Sequence, residues 1–188
     1  MANLRVDNLE GLLSPFLRRE RFKAAMPYVR GDVLDYGCGV GLLSELVTPG
    51  RYVGVDIDRD ILTVARHRYP GVRFFEHEQL DSLGEERFDT VVALAVIEHL
   101  PHPSAILRKF KQMLQNNGRI VLTTPNPLLD WAHGLGGRVG LFSGESHDEH
   151  QSLMNRVQLS ASAEAAGLRM TVYKRFLWGA NQLAILER

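Results

Sequence analysis

The sequence predicts an α/β fold, a mostly parallel sheet of seven strands with the last strand antiparallel and helices on both faces. Two observations support this fold class. Five apolar runs typical of buried strands alternate with segments of helical periodicity between residues 31 and 124, which is the pattern of a parallel sheet. Two further runs follow near the carboxyl terminus, separated only by residues 177–180. A connection this short implies an antiparallel pair.

The first five predicted strands are apolar runs, as expected for strands that are covered on both faces of a sheet. In chain order the seven predicted strands cover residues 33–36, 52–56, 72–75, 88–94, 119–124, 168–176 and 181–187.

Three segments between and after these strands carry helix signals. Asp58 is a suitable N-cap for a helix that runs to Tyr69. Pro103 suits the first turn of a second helix, and Asn155 can cap a third that Gly167 ends. The second helix has an apolar stripe made of Ile106, Leu107, Phe110, Met113 and Leu114.

Two regions fall outside this alternation. The N-terminal segment, from about residue 9 to residue 28, has the pattern of an amphipathic helix. We expect its basic residues on the solvated face, away from the domain. They are Arg18, Arg19, Arg21 and Lys23. Residues 125–150, rich in Gly and polar residues, are too long for an ordinary connection and predict a lid over a binding site.

Composition limits the function classes. The chain has 188 residues, a length suited to one domain, and its 22 Lys+Arg balance 22 Asp+Glu. The net charge is therefore zero, so no long-range attraction draws the chain to nucleic acid or anionic lipid. The single cysteine, Cys38, excludes an intrachain disulfide. The first ten residues lack an apolar signal region. The longest apolar run, residues 91–97, is too short to cross a bilayer. We expect a cytoplasmic protein without a membrane partner.

The most informative segment is Val-Leu-Asp-Tyr-Gly-Cys-Gly-Val-Gly, residues 33–41, which joins the first strand to a predicted helix carrying Leu42, Leu43 and Leu46. Its glycines remove the Cβ atoms that would keep a ligand away from the backbone, and they leave N–H groups near a helix N-terminus. Asp56 ends the next strand, where an acid can accept hydrogen bonds from the ribose of a bound nucleoside.

The spacing argues against a dinucleotide. The G-x-G-x-x-G fingerprint would need glycine at Leu42, and Asp35 would repel a pyrophosphate while suiting a ligand with an amino group. The pattern D-x-G-x-G-x-G, followed by an acid after the second strand, resembles the class I S-adenosylmethionine-dependent methyltransferases. The resemblance is close over about residues 30–124, and it implies a Rossmann-like sheet with S-adenosylmethionine as cofactor.

The resemblance also implies roles for individual residues. Asp35 would meet the methionine amino group through water or backbone, and Asp56 would accept the ribose hydroxyls. The adenine would lie against Ile57, with Glu78 and its neighbour Gln79 near the adenine amino group and Asp81 as the competing residue. The rest of the implied cofactor pocket consists of Gly37, Cys38, Gly39, Gly41, Ala93, Leu94 and Ala95. In this family Cys38 is a small filler, not a nucleophile.

Residues 97–100, Ile-Glu-His-Leu, are the second motif of the resemblance, followed by a Pro-led helix. Glu98 and His99 are the candidate catalytic residues, because the family pattern places them near the transferred methyl. His99 could act as a general base for an acceptor hydroxyl. The alternative, which we favour slightly, is that both residues hold the loop and the following helix, since transfer from a sulfonium does not require a base.

No metal is expected. Glu98, His99 and His150 resemble part of the metal site of small-RNA 2′-O-methyltransferases, but Ala95 stands where their first glutamate would be. Losing a carboxylate weakens a hard-cation site severely. The segment 147–150, His-Asp-Glu-His, could supply replacements, although such clusters are more often solvated loops.

These observations predict one methyltransferase domain over residues 1–188. It comprises an N-terminal helix (1–30), a cofactor-binding core (31–124), a lid loop (125–150) and a C-terminal helix with a hairpin (151–188). We expect methyl transfer to an oxygen or nitrogen of a small molecule. The alternatives are methylation of RNA, favoured by the basic helix but disfavoured by the zero net charge, and cofactor binding without transferase activity. The sequence indicates neither the acceptor nor the oligomeric state.

Overall fold

A computed structural model of the chain describes residues 14–47, 51–127 and 153–188. Within these ranges the chain forms one seven-stranded sheet. Its strands are β1 (Val33–Tyr36), β2 (Tyr52–Asp56), β3 (Arg73–Glu76), β4 (Phe88–Leu94), β5 (Leu114–Pro125), β6 (Arg169–Phe176) and β7 (Asn181–Glu187). The α-helices are α1 (Ser14–Ala25), α2 (Arg59–Arg68), α3 (Pro103–Met113) and α4 (Arg156–Ala165).

The strand order in the sheet is β3-β2-β1-β4-β5-β7-β6. Strands β1 to β5 pair in parallel, whereas β7 is antiparallel to both of its neighbours, β5 and β6. The predicted fold class is therefore confirmed, including the antiparallel last strand. The order changes direction at β1, where the chain returns from β3 to β4, and ligands bind at such a switch point in open α/β sheets.

The core lies on both faces of the sheet. On one face α3 and α4 pack against strand residues such as Leu34 and Ile120. On the other face α1 and α2 pack against Val33, Val92 and Val121. Neighbouring residues of β1 thus face opposite layers: Val33 faces the layer of α1 and α2, and Leu34 faces the layer of α3 and α4. This alternation decides which side chains can reach a site on the α1 face.

Three predicted helices form where their end signals stand. The Asp58 carboxylate accepts from the backbone N–H groups of Asp60 and Ile61 at the start of α2. Asn155 caps α4 in the same way, with Gln158 bonding back to its N–H, and Gly167 follows at φ 71°. All five residues of the predicted α3 stripe are buried, but the helix ends at Met113, and Leu114, the last of the five, begins β5.

Two local predictions are wrong. The glycine loop is followed by a single 3₁₀ turn, Leu42–Glu45, and not by an α-helix, because few residues separate the loop from β2. Strand β5 begins directly after α3, five residues earlier than predicted, and its register against β4 shifts between Phe88 and Thr90. The predicted lid falls almost wholly outside the described residues.

Candidate active site

The carboxyl ends of β1, β2 and β4 bring the predicted site residues to one edge of the sheet. Asp35 lies near the end of β1, Asp56 ends β2, and Leu94 ends β4. Register fixes these positions, since Asp35 pairs with Gly54 of β2 and with Val92 of β4. The glycine loop follows β1 at the same edge, where a ligand can bind across the switch point.

Hydrogen bonds to β2 hold the glycine loop in place. Gly37 and Cys38 both donate their N–H groups to the carbonyl of Val55, at 2.8 and 3.1 Å. The N–H of Gly39 donates to Oδ2 of Asp56 at 2.8 Å, and Oδ1 of Asp56 accepts from the N–H of Asp58 at 3.0 Å. Asp56 therefore shapes the loop, and lone pairs remain on its carboxylate for a further donor.

Two glycines of this loop share a positive φ, which strains a residue with a Cβ atom, but they differ in their surroundings. Gly37, at φ 80°, would bring a Cβ atom to 2.3 Å from Cγ2 of Val96. Gly39, at φ 53°, has nothing within 4 Å of the position of a Cβ atom, so it faces open space. The second position leaves bare backbone exposed to an approaching ligand.

A cavity of about 200 Å³ lies between the glycine loop and α1. Asp35 and Leu94 close its base, and the loop forms one wall. The remaining lining residues come from α1 and the loop: Arg18, Arg21, Phe22, Gly37, Cys38, Gly39, Val40 and Leu42.

The Asp35 carboxylate is the acidic group of this cavity. It is only 4% exposed, and its Oδ2 accepts a hydrogen bond of 2.6 Å from the hydroxyl of Tyr52. Burial raises the pKa of Asp35 to about 7; the Tyr52 hydrogen bond opposes this rise and the Asp56 carboxylate adds to it. A buried carboxylate of this kind favours a cationic partner.

Cys38 is buried in the same wall. Burial and the nearby carboxylates of Asp35 and Asp56 raise the pKa of its thiol, which disfavours the reactive thiolate. This agrees with its interpretation as a small filler.

The groups predicted around an adenine lie beyond Asp56. The side chain of Ile57 is 75% exposed, which is unusual for an isoleucine and leaves an apolar surface next to the loop. Glu78 and Gln79 are exposed in the turn after β3, where the Gln79 side chain accepts from the N–H of Glu76 at 3.0 Å. The competing residue, Asp81, pairs with Lys109 of α3 at 3.1 Å, so its carboxylate is already engaged by another partner.

The end of β4 and the residue after it separate the predicted residues 93–95. Ala93 is 1% exposed and packs in the core on the α3 face, so it does not close the cavity as predicted. Leu94 does line the cavity. Ala95 has a φ of 57°, a left-handed conformation rare for a residue with a Cβ atom.

Glu98 and His99 differ in exposure. Glu98 is 3% exposed, and its Oε2 has no hydrogen-bond partner among the described residues, whereas His99 is exposed. Burial raises the pKa of Glu98, with opposing contributions from its backbone hydrogen bond, His99, Thr124 and Arg21. The buried Glu98 carboxylate is therefore a titratable group of this motif with a perturbed environment.

Two arginines of α1 lie in an environment other than the predicted one. Arg18 and Arg21 were expected on the solvated face, but both line the cavity. Nε of Arg21 donates to Oδ1 of Asn181, the first residue of β7, at 3.2 Å. Their spacing of three residues places them on one face of a helix and could have indicated a shared environment. Nothing in the local sequence indicates Asn181.

Among the described residues, no three His, Cys, Asp or Glu side chains lie close enough to hold a metal ion. The segment 147–150 lies outside the described residues. In the part of the chain that the structure describes, no helix is both long and apolar enough to cross a membrane.

Comparison with known proteins identifies the family. A family model described as a methyltransferase domain matches residues 8–172. The chain belongs to the methyltransferase domain family. The predicted resemblance to the class I S-adenosylmethionine-dependent methyltransferases is confirmed by this match and by the fold.

Curated relatives of this methyltransferase domain include two named ubiquinone biosynthesis O-methyltransferase. The one from Idiomarina loihiensis is 31% identical over 148 residues, which are 72% of this chain and 60% of the relative. The one from Aeromonas salmonicida is 29% identical over 148 residues, 72% of this chain and 62% of the relative. The chain thus spans about three fifths of the length of these relatives.

Solved structures share the fold of this methyltransferase domain. An S-adenosylmethionine-dependent methyltransferase from Mesorhizobium loti superposes with a TM-score of 0.68 at 16% identity, covering 94% of this chain and 97% of that one. Magnesium protoporphyrin IX methyltransferase from Synechocystis, solved with bound SAH, gives a TM-score of 0.68 at 18% identity, with 100% and 89% covered. At these identities the likeness concerns the fold. The individual site residues stay predictions.

Proposed function

We propose that this chain transfers a methyl group from S-adenosylmethionine to an oxygen or nitrogen of a small molecule. The observation that carries the proposal is the cavity between the glycine loop and α1, lined by Asp35, with Asp56 and the exposed Ile57 next to the loop. The named methyltransferases among the relatives and structural neighbours support the same reaction class.

Two features of the site fit this cofactor, and the size of the cavity limits which part of it can be enclosed. Gly39 leaves bare backbone at the loop, where the ligand must approach closely. Asp35 is a buried carboxylate suited to the α-amino group of the methionine part. A cavity of about 200 Å³ is small for a whole cofactor. It would hold the amino-acid end, leaving the adenosine on the open surface at Asp56 and Ile57.

Further residues are assigned on the same basis. Gly37, Cys38 and Gly41 complete the loop that would carry the cofactor, and Leu94 and Ala95 would close its methyl end. We favour Glu78 over Asp81 for the adenine amino group, because Asp81 is paired with Lys109.

When bound, S-adenosylmethionine supplies a methyl group already activated by a positively charged sulfur. The protein's task is then to hold the acceptor in line, exclude water and accept a proton where the acceptor has one to lose. We assign proton acceptance to Glu98 rather than to His99, since Glu98 is buried and burial raises its pKa.

The RNA alternative loses one of its supports. Its main argument was a basic face on the N-terminal helix, but Arg18 and Arg21 of that face line the cavity. Arg19 and Lys23 remain on the exposed side of α1. We also propose a cytoplasmic location, for which the single cysteine, free and buried, is the support.

Calorimetry with S-adenosylhomocysteine tests the cofactor, with NAD as the matched negative control. The purified protein should bind the first and not the second, and equal binding of NAD would contradict the proposal. Incubation with S-adenosylmethionine and fractionated small-molecule extracts, followed by mass spectrometry, should then show an acceptor that gains one CH₂. Cofactor binding without any methylated product would support the non-catalytic alternative.

A further inference from the structure

A second cavity, of about 300 Å³, lies beside the C-terminal ends of α3 and α4. Its lining residues are Arg108, Lys111, Gln112, Ala166 and Arg188, and we call it the basic cavity. Three of the five are cations and none is an acid. Because β5 begins directly after α3 and runs parallel to β4, α3 ends at the edge of the sheet opposite to the glycine loop. The basic cavity is therefore separate from the candidate active site.

Backbone carbonyls hold the three cations of the basic cavity in place. Nζ of Lys111 donates to the carbonyl of Gly167 at 2.7 Å, and Nη1 of Arg108 donates to the carbonyl of Ala165 at 3.1 Å. Nη2 of Arg188 donates to the carbonyl of Lys111 at 2.8 Å. These side chains are thus partly ordered before any ligand arrives, which lowers the entropic cost of binding one.

The carbonyl bonds leave most of the donors of these cations unused. An ammonium group has three N–H groups and a guanidinium has five. Over the described ranges of the chain, no ion pair joins any of the three cations to a carboxylate, whereas the exposed cations Arg59, Arg68 and Lys109 each have one. Capping of the helix ends explains one donor of each cation, but it does not explain three positive charges around one cavity. Such charges repel one another, and an anion between them would be stabilised.

We propose that the basic cavity binds a phosphate-type oxyanion with at least two negative charges, such as a diphosphate or triphosphate group. The guanidinium groups of Arg108 and Arg188 can each donate to two phosphate oxygens, and Lys111 adds a compact positive charge. Gly167 leaves room for this ammonium group, since a Cβ atom there would lie 2.6 Å from Nζ of Lys111. The inference does not depend on the proposed methyl transfer.

The size and lining of the basic cavity favour this ligand class over a larger polyanion. A volume of about 300 Å³ is at the lower end of the range of small-molecule sites, roughly 300–1,000 Å³. No aromatic side chain lines the cavity, so it offers no surface on which the bases of a nucleic acid could stack. A compact group with many acceptor oxygens and a high charge matches these walls best.

Calorimetry of the full chain with inorganic tripolyphosphate tests the proposal. Citrate is the matched probe, because it also carries several negative charges but has no phosphate group. The wild-type protein should bind one tripolyphosphate, at least tenfold more tightly than citrate. The affinity should decline as the salt concentration rises, since the cations of the site are partly exposed to solvent.

Site variants assign the bound anion to the basic cavity. Arg108→Gln and Lys111→Gln should each weaken tripolyphosphate binding about tenfold or more, because each removes a charged donor. Arg66→Gln is the control: this exposed arginine of α2 also donates to a backbone carbonyl, that of Phe74 at 3.0 Å, but it does not line the basic cavity. Its replacement should leave the affinity unchanged. Tripolyphosphate should also raise the Tm of the wild type more than that of Arg108→Gln.

Three outcomes would overturn the inference. Equal affinity for citrate would refute the phosphate assignment and leave only a general attraction for anions. Full binding in Arg108→Gln and Lys111→Gln, with loss of binding in Arg21→Gln, would place the anion in the cavity beside the glycine loop. Absence of binding to the folded wild type would show that the three cations only cap helix ends. None of these measurements involves S-adenosylhomocysteine, so their failure is distinct from a failure of the proposed function.

Discussion

Replacing Asp35 with asparagine should stabilise the ligand-free protein and weaken cofactor binding together. In the folded protein burial raises the pKa of this carboxyl to about 7, from an ordinary value of 3.8. The folded state therefore holds the Asp35 proton more tightly than the unfolded chain does. Between these two pH values the free energy of unfolding falls as pH rises, and above about pH 7 the full penalty is present.

The size of the effect follows from this shift. A difference of about 3 pH units corresponds to about 4 kcal/mol of penalty in the ionised state. Asparagine removes this penalty and can still accept the Tyr52 hydrogen bond through its carbonyl oxygen. Its buried NH₂ group, however, gains no evident acceptor, which costs about 1–3 kcal/mol. The net expectation above pH 7 is a gain of roughly 1–3 kcal/mol, or a rise in Tm of about 2–10 °C.

Urea unfolding at pH 5.5 and pH 8 measures this directly. The stability advantage of Asp35→Asn over the wild type should be larger at pH 8. Asp60→Asn, an exposed carboxylate in the first turn of α2, is the control and should show a small effect at both pH values. A difference independent of pH, or a variant less stable than wild type at pH 8, would refute the reasoning.

Binding provides the second half of the prediction. The α-amino group of S-adenosylhomocysteine should favour ionised Asp35, so wild-type affinity should decline as pH falls below about 7. The Asp35→Asn variant should bind about tenfold to a hundredfold more weakly at pH 8 and lose this pH dependence. Stability and binding would then change in opposite directions, as expected for a strained site.

Three further predictions concern single positions. Asp56→Ala should weaken S-adenosylhomocysteine binding about tenfold to a hundredfold by calorimetry, and undiminished affinity would remove Asp56 from the site. Gly54→Ala should lose about 1–3 kcal/mol in urea unfolding, because its Cβ atom would lie 2.6 Å from the Phe74 ring, whereas Gly71→Ala, with open space around it, should not. His99→Ala should retain most turnover once an acceptor is known, since this side chain is exposed; a loss of about 10²-fold or more would restore it as the general base.

The fold was predictable because its signals are local. The strands of the parallel part are short runs rich in apolar residues, and Asp58, Asn155 and Gly167 mark helix ends through their own side chains or backbone. The sequence did not reveal how long a segment can be when the rest of the fold limits it. The leucines at 42, 43 and 46 have the composition of a helix, but β2 begins at Tyr52, too soon for more than one turn.

The site was predictable only where motif and strand end coincide. Asp35, Asp56 and the glycine loop lie together because parallel strands end at one edge. Arg21 and Asn181 come together across 160 positions of sequence, and no local pattern specifies such a pair. Ala93 illustrates the opposite error, because the alternation of side chains along β4 points it into the core, away from its neighbour Leu94.

The short connection after the glycine loop explains why α1 takes part in the site. A single 3₁₀ turn, Leu42–Glu45, covers little of the sheet face next to the loop. Helix α1 lies there instead, with Phe22 packed against the core of this face and Phe22, Arg18 and Arg21 lining the cavity. A helix that closes the core on one side can carry ligand-binding groups on the adjoining side, because residues three positions apart share a face. Because the connection between the glycine loop and β2 is short, α1 covers this part of the sheet and places two arginines over a cavity whose base is the buried Asp35 carboxylate.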